Sequence, residues 1–232
     1  MSRTRLFAAI KALDVQTVDR LLRAQPGLLR AVDDRRRSPL HFLCGLPADP
    51  KTSARALALA GRLLNGGLDV NAPAFVEGIF QATPLWYAIA RGRNLPLARF
   101  LLKRGSTPEN ALWAAAFAED VAAIDLLVRS GASLDPVTED ETPFLTAIKW
   151  SRFVGAERML HHGANVNFQN SKGLTALHMA LKKNSDRRHV EMLLRHGADP
   201  TLRSRDGQSP LDLVRNRRDK TLFALLSRRI QG

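Results

Sequence analysis

One cysteine, Cys44, and six histidines are the side chains of this 232-residue chain that most readily serve catalysis or metal binding. A single Cys excludes an intramolecular disulfide and any multi-cysteine zinc or iron–sulfur site. His41, His161, His162, His178, His189 and His196 have no Cys or carboxylate companions at ligand spacing, so neither a metal nor another cofactor is expected. No Gly-Lys dipeptide is present and hence no P-loop; G-x-G-x-x-G, H-E-x-x-H and G-x-S-x-G are missing too. Glu139-Asp140-Glu141 reads as a solvated acidic run. The expectation is a protein without catalytic activity of its own.

Composition narrows the classes further. At 45% hydrophobic and 25% charged residues the chain is globular in type, which argues against wholesale disorder. No apolar stretch approaches the ~18 residues that span a bilayer. Leu6 to Ile10 is apolar, but Lys11 and Asp14 break it short of a signal-peptide core. A soluble, cytoplasmic protein is therefore expected. The formal net charge of +13 is unevenly distributed: residues 1–60 carry +6, 61–120 +1, 121–180 −1 and 181–232 +7. Arg outnumbers Lys 27 to 8. That bias has two readings, selection for phosphate or carboxylate recognition or the codon usage of a GC-rich genome.

The elements that must position any functional group emerge from self-similarity. Ser38-Pro39-Leu40-His41 returns as Thr83-Pro84-Leu85-Trp86, Thr142-Pro143-Phe144-Leu145, Thr175-Ala176-Leu177-His178 and Ser209-Pro210-Leu211-Asp212. Each quartet leads into an apolar run, a polar turn and then, ahead of residue 209, a second run ending in paired Leu or Met-Leu and a Gly, as in Leu193-Leu194-Arg195-His196-Gly197-Ala198-Asp199. Thr4-Arg5-Leu6-Phe7 and Glu109-Asn110-Ala111-Leu112 begin two more such units. Starts near 4, 38, 83, 109, 142, 175 and 209 are spaced 34, 45, 26, 33, 33 and 34 residues apart. This pattern resembles the ankyrin repeat over nearly the whole chain. The resemblance implies an all-α repeat, an ankyrin-repeat solenoid of stacked helix-turn-helix units with short β-hairpin fingers. One elongated, monomeric domain of about seven repeats is expected, the first and last acting as caps.

Physical chemistry accounts for the repeated residues. Ser or Thr at the quartet's start can cap a helix, and Pro beside it is tolerated at the first helical position. The Gly after the paired Leu ends the second helix, where a left-handed conformation costs little. One helix pair cannot bury its apolar side alone, so neighbours must stack and end units must stay polar, which absorbs part of the end-loaded charge. Cys44, six residues into the second unit at a position where the family packs Ala, is expected to be a buried, inert thiol. His41 and His178 occupy the quartet position from which the family's imidazole bonds neighbouring backbone.

Three places depart from the pattern. The spacing of 45 holds an insertion at 46–56 and a long finger at 72–82 carrying Phe75, Val76, Ile79 and Phe80. Those apolar residues fit either a binding loop or a finger folded back on the array. The spacing of 26 leaves no room for a finger at 105–109, which interrupts any continuous groove. Arg36 stands where the family has a turn Gly, so either a non-Gly residue takes positive φ or the turn differs; Gly173 and Gly207 fit.

What remains is a binding surface. In the resembled family, partners dock on finger tips and on inner-helix positions seven and eight places after the quartet's start. Carried over residue by residue, the helix positions are Ala90 and Arg91, Ala116 and Phe117, Lys149 and Trp150, Lys182 and Lys183, and Asn216 and Arg217. The finger tips supply Arg35, Arg36 and Arg37 at one end, and Ser171, Lys172 and Arg205 toward the other. The resulting expectation is a protein-interaction scaffold that takes an acidic protein on its concave face and finger tips. Two alternatives stand beside it: a basic protein that binds nucleic acid or an anionic surface, and an inhibitor or effector acting on a separate enzyme.

Overall fold

The structure, a computed structural model, describes residues 2–75 and 81–229; Val76, Ile79, Phe80 and the side chain of Phe75 lie outside what is described. Within those residues the chain folds into fourteen α-helices, one 3-10 turn and one two-stranded hairpin. The helices fall into two compact units, the first running through Ala115 and including Asp125–Ala132, the second made of Ala116–Ile124 and the chain from Ser133 onward.

The first unit holds α1 (Ser2–Lys11), α2 (Val15–Ala24), the 3-10 turn Pro26–Arg30, α3 (Pro39–Cys44), α4 (Ser53–Asn65), β1 (Ala74–Phe75), β2 (Gln81–Ala82), α5 (Pro84–Ala90) and α6 (Leu95–Lys103). β1 and β2 pair antiparallel, Ala74 opposite Ala82. α7 (Glu109–Phe117) and α8 (Val121–Arg129) contribute residues to both units. The second unit continues with α9 (Pro143–Lys149), α10 (Phe153–His161), α11 (Ala176–Lys182), α12 (Arg187–Arg195), α13 (Pro210–Asn216) and α14 (Lys220–Arg228).

Two layers result in each unit. α3 packs on α1 and α5 while α4 packs on α2 and α6; in the second unit α11 packs on α9 and α13, and α12 on α14. Small residues make the inner layer close: Ala88, Ala147 and Ala180 are buried among Leu85, Phe144, Ile148, Leu177 and Leu181. Each fully buried Leu or Phe is worth about 1.5–3 kcal/mol of transfer free energy, and it is obtained only where a neighbouring pair covers the side chain.

The helix starts follow from the repeated quartet. Ser38, Thr83, Thr142, Thr175 and Ser209 are N-caps, each hydroxyl accepting the backbone N–H three residues on, at 3.4, 3.3, 3.1, 3.4 and 3.1 Å. Asp14, Asn94, Asp120 and Asp219 cap the outer helices in the same manner at 2.9–3.0 Å. Capping is what lets helices of six or seven residues persist, because it satisfies donors that have no intrahelical partner.

The departures have local explanations. The segment from Leu46 to Thr52 is held by the Ala48 N–H, which donates to the Gly92 carbonyl at 2.8 Å, and it leads into α4, which is 13 residues long where α6 is 9. Arg36 does take a positive φ of 58°. Asp33 makes that turn tenable: its carbonyl accepts the Arg36 N–H at 2.9 Å, and its carboxylate accepts the Arg35 and Arg37 N–H groups at 3.0 and 2.8 Å. Gly173, at φ 70°, fills the equivalent place in the second unit, where a Cβ would lie 2.9 Å from the backbone nitrogen of Arg205.

Candidate partner-binding surface

The ends of α7, α9, α11 and α13 bring one set of the sequence-predicted residues together. Phe117 ends α7, Lys149 ends α9 with Trp150 as its C-cap, Lys182 ends α11 with Lys183 as its C-cap, and Arg217 caps α13. All belong to the second unit. Phe117 and Trp150 are 48% and 58% exposed, and their rings meet edge to face with centroids 6.3 Å apart. Such an edge-on aromatic pair in water leaves two large apolar faces to be covered.

Two residues beside this pair were not anticipated from sequence. The Arg152 guanidinium lies over the Phe117 ring, 4.6 Å from its centroid. Val154, 56% exposed, lies at the start of α10, and its N–H donates to the Glu119 carboxylate at 2.9 Å. The signal for Val154 was available in the period: Val121 and Val154 stand 33 residues apart, as do Phe117 and Trp150. Each turn bends through one non-Gly residue at positive φ, Glu119 at 55°, Ser151 at 57°, Asn184 at 52° and Arg218 at 58°.

Farther along the row the side chains become cationic. The Lys183 ammonium donates to the Lys149 carbonyl and, at 2.9 Å, to the Ser151 hydroxyl. Arg217 donates to the Leu181 carbonyl and to the Asn184 side-chain oxygen, both at 2.7 Å. The bonds to Lys149 and Leu181 go to carbonyls in the last turn of a helix; that of Leu181 also accepts the Asn184 N–H at 3.0 Å. The acceptors are neutral, and among the described residues neither Lys183 nor Arg217 forms an ion pair with a carboxylate. Lys149 differs, for its ammonium pairs with Glu141 at 2.6 Å. Lys182 is exposed beside them.

The turns at the other end of the same helices form a second row. Asp140 accepts from the Ser171 N–H at 2.6 Å and from the Ser171 hydroxyl, and the Lys172 carbonyl accepts the Arg205 N–H at 2.9 Å. Lys172 and Arg205 are thus neighbours, both exposed. The acidic run at 139–141 is not simply solvated, a correction to the sequence reading. Glu141 is mostly covered and is held by Lys149 and by the Thr146 hydroxyl at 2.8 Å, because the turn folds its carboxylate back over the first turns of α9.

In the first unit the predicted residues lie in two places. Arg91 is exposed, its guanidinium 6.0 Å from the Trp86 ring. Arg35 and Arg36 are exposed on their turn. Arg37 is largely covered: it pairs with Asp33 at 2.6 Å and lies over Phe42 and Tyr87 at 5.1 and 5.7 Å. Burial raises the Asp33 carboxyl, but its hydrogen bonds from Arg37 and the backbone outweigh that and hold it below the usual range.

The titratable groups within the stack are structural. Cys44 is fully buried, and burial pushes its thiol well above the ordinary value. His178 accepts the Thr175 N–H on Nδ1 at 3.2 Å, so its Nε2–H donates to the Gln208 carbonyl at 3.0 Å. His41 reaches the Ala72 carbonyl with Nε2 at 2.8 Å. Burial lowers both imidazoles below the ordinary value, keeping them neutral. Among the described residues no group of three or more His, Cys, Asp or Glu could hold a metal ion, and no helix is long and apolar enough to cross a membrane.

Comparison with known proteins places this geometry. A family model of ankyrin repeats in three copies matches residues 111–204 and 155–231. The chain belongs to the ankyrin repeat family. The ankyrin repeat and KH domain-containing protein mask-1 of Caenorhabditis elegans is 31% identical over 170 residues, 69% of this chain and 6% of that protein. A putative ankyrin repeat-containing protein of Treponema pallidum (strain Nichols) is 26% identical over 166 residues, 71% of this chain and 49% of the other. The human ASB11 ankyrin repeat domain superposes with a TM-score of 0.70 at 25% identity, covering 97% of this chain and 96% of that one. The ankyrin repeat domain of Bcl-3 has a TM-score of 0.73 at 24% identity, covers 98% of each chain, and bears on fold alone. The chain spans 6%, 32% and 10% of the lengths of three of the curated relatives it matches. Ankyrin repeats generally mediate protein–protein interactions and are generally non-catalytic.

Proposed function

We propose that this protein is a non-catalytic scaffold that binds an acidic protein partner along the helix-end row of its second unit, with Lys172 and Arg205 on the adjoining turns extending the contact. The observation that carries this reading is the exposed Phe117–Trp150 pair on one row with Lys183 and Arg217, which pair with no carboxylate among the described residues. Aromatic and Arg anchors dominate interface energetics, and a rim of one charge sign selects a partner of the other. Arg91 and the turn at Arg35, Arg36 and Arg37 are assigned a secondary, steering role, since Arg37 is engaged with Asp33 and two rings.

The test is affinity capture with mass spectrometry, comparing wild type with Trp150→Ala and with the double variant Lys182→Glu, Lys183→Glu. Proteins held by wild type and lost from both variants identify the partner. Equal recovery of every captured protein by all three forms would sink the assignment of the row.

A further inference from the structure

The row has a polarity that the proposed function does not use. From the turn after α7 to the one after α13, corresponding positions read Phe117, Trp150, Lys183 and Arg217, spaced 33, 33 and 34 residues apart. They touch in sequence: Phe117 meets Trp150 edge on, Lys183 reaches the end of α9, and Arg217 reaches the end of α11. A parallel track runs beside it, Val121 and Val154 exposed at the apolar end and Arg187 at the basic end, the last paired with Glu191 at 2.7 Å. Exposed apolar side chains therefore gather at the first two turns, where Arg152 lies over a ring and Lys149 is paired with Glu141, while Lys183 and Arg217 carry the row's charge at the next two.

We infer that this row is a docking track for a single extended peptide segment carrying one apolar anchor followed by two acidic residues, the anchor seated on Phe117, Trp150 and Val154 and the carboxylates on Lys183 and Arg217. This rests on the proposed function and sets the register of the partner. Packed helices stand about 8–10 Å apart, and an extended chain advances about 3.3 Å per residue, so one turn of the row corresponds to about three residues of ligand. The acidic residues then fall about three and six positions from the anchor, in either chain direction. Charge complementarity selects carboxylates: the bonds that Lys183 and Arg217 already make go to carbonyl, hydroxyl and amide oxygens, so the charges remain while the side chains are held in place. The Arg152 guanidinium over the Phe117 ring likewise fixes the anchor site before binding.

The experiment uses the full chain and fluorescein-labelled synthetic dodecamers: one with Leu followed by Asp at three and six positions on, its reversed sequence, one with the same composition but the acids at one and two positions on, and one with Asn for Asp. Fluorescence anisotropy should show binding of the first, the reversed or both, with about tenfold or more loss for the respaced and Asn peptides. Phe117→Ala and Trp150→Ala should weaken binding by a similar factor, and Lys183→Gln with Arg217→Gln should abolish the Asp-over-Asn preference. Circular dichroism checks that each variant is folded, as exposed positions allow. Equal binding of all four peptides, or no binding by any of them, overturns the extended register while leaving a folded acidic partner on the row possible. Unchanged binding in the Phe117 and Trp150 variants overturns the row itself.

Discussion

The two ends of α9, α11 and α13 obey different rules. At their N-terminal ends stand Thr142, Thr175 and Ser209, all buried, all capping the same backbone position. At their C-terminal ends stand Trp150, Lys183 and Arg217, all exposed and chemically unlike. A cap hydroxyl must meet an N–H at a fixed place inside the stack, so the geometry tolerates few residue types. A C-terminal turn on the surface needs only a residue that leaves the helix, so its side chain is free to encode a ligand. Stability and recognition are thereby separated along one seven-residue helix.

The largest test of that separation is His178→Ala. The imidazole is completely buried and ties the start of α11 to the Gln208 carbonyl on the next turn. Its loss removes the bond across to Gln208, whose carbonyl keeps the Ser204 N–H at 2.9 Å, and opens a cavity in the stack, costing about 2–4 kcal/mol, which lowers the thermal midpoint by roughly 4–16 °C. A melt shifted by less than about 2 °C would mean that the buried end is not where the stability resides.

Thr142→Ala comes next. It removes the hydroxyl that accepts the Leu145 N–H at 3.1 Å inside the stack, and about 1 kcal/mol of destabilisation is expected by chemical denaturation. Thr142→Ser should recover most of it.

A smaller and graded effect is expected from pH. His41 and His178 have folded-state values below the ordinary one, because burial disfavours the charged ring. Above the ordinary value of about 6.5 both states are neutral and nothing is lost. As pH falls through that value the unfolded chain takes up protons that the folded chain resists, so stability declines from there downward until the folded value is reached. Melts at pH 7.5 and 5.5 should differ in that direction for wild type, and less for a His41→Gln, His178→Gln form.

The same contrast explains how much was readable from sequence. Caps at Ser38, Thr83, Thr142, Thr175 and Ser209, and the positive φ at Gly163 and Gly197, were legible because each is a local backbone requirement with a short residue menu, whereas at Arg36 the sequence left open a positive φ or another turn shape. The reach of Lys183 back to α9, Arg152 over Phe117, and Arg37 turned inward onto Asp33 were not legible. A long cationic side chain has several rotatable bonds, and which neighbour it meets depends on side-chain direction across adjacent pairs rather than on spacing. The exposed aromatic row was half legible: its positions followed from the resemblance, while burial and exposure were equally compatible with the residue types.

The smallest expected effect is the sharpest. If the C-terminal ends encode recognition alone, Trp150→Ala and Lys183→Ala should each leave stability within about 0.5 kcal/mol of wild type, as surface substitutions usually do. Lys183 is the stricter case because its ammonium is bonded to the Lys149 carbonyl and the Ser151 hydroxyl. Those acceptors are at the surface, so water replaces the lost donor and no buried group is stranded. A cost above about 1.5 kcal/mol for Lys183→Ala would make the lysine a brace between α9 and α11. The distinction between a structural end and a recognition end would then fail at that position, and the uncompensated charge would have a stabilising role independent of any partner.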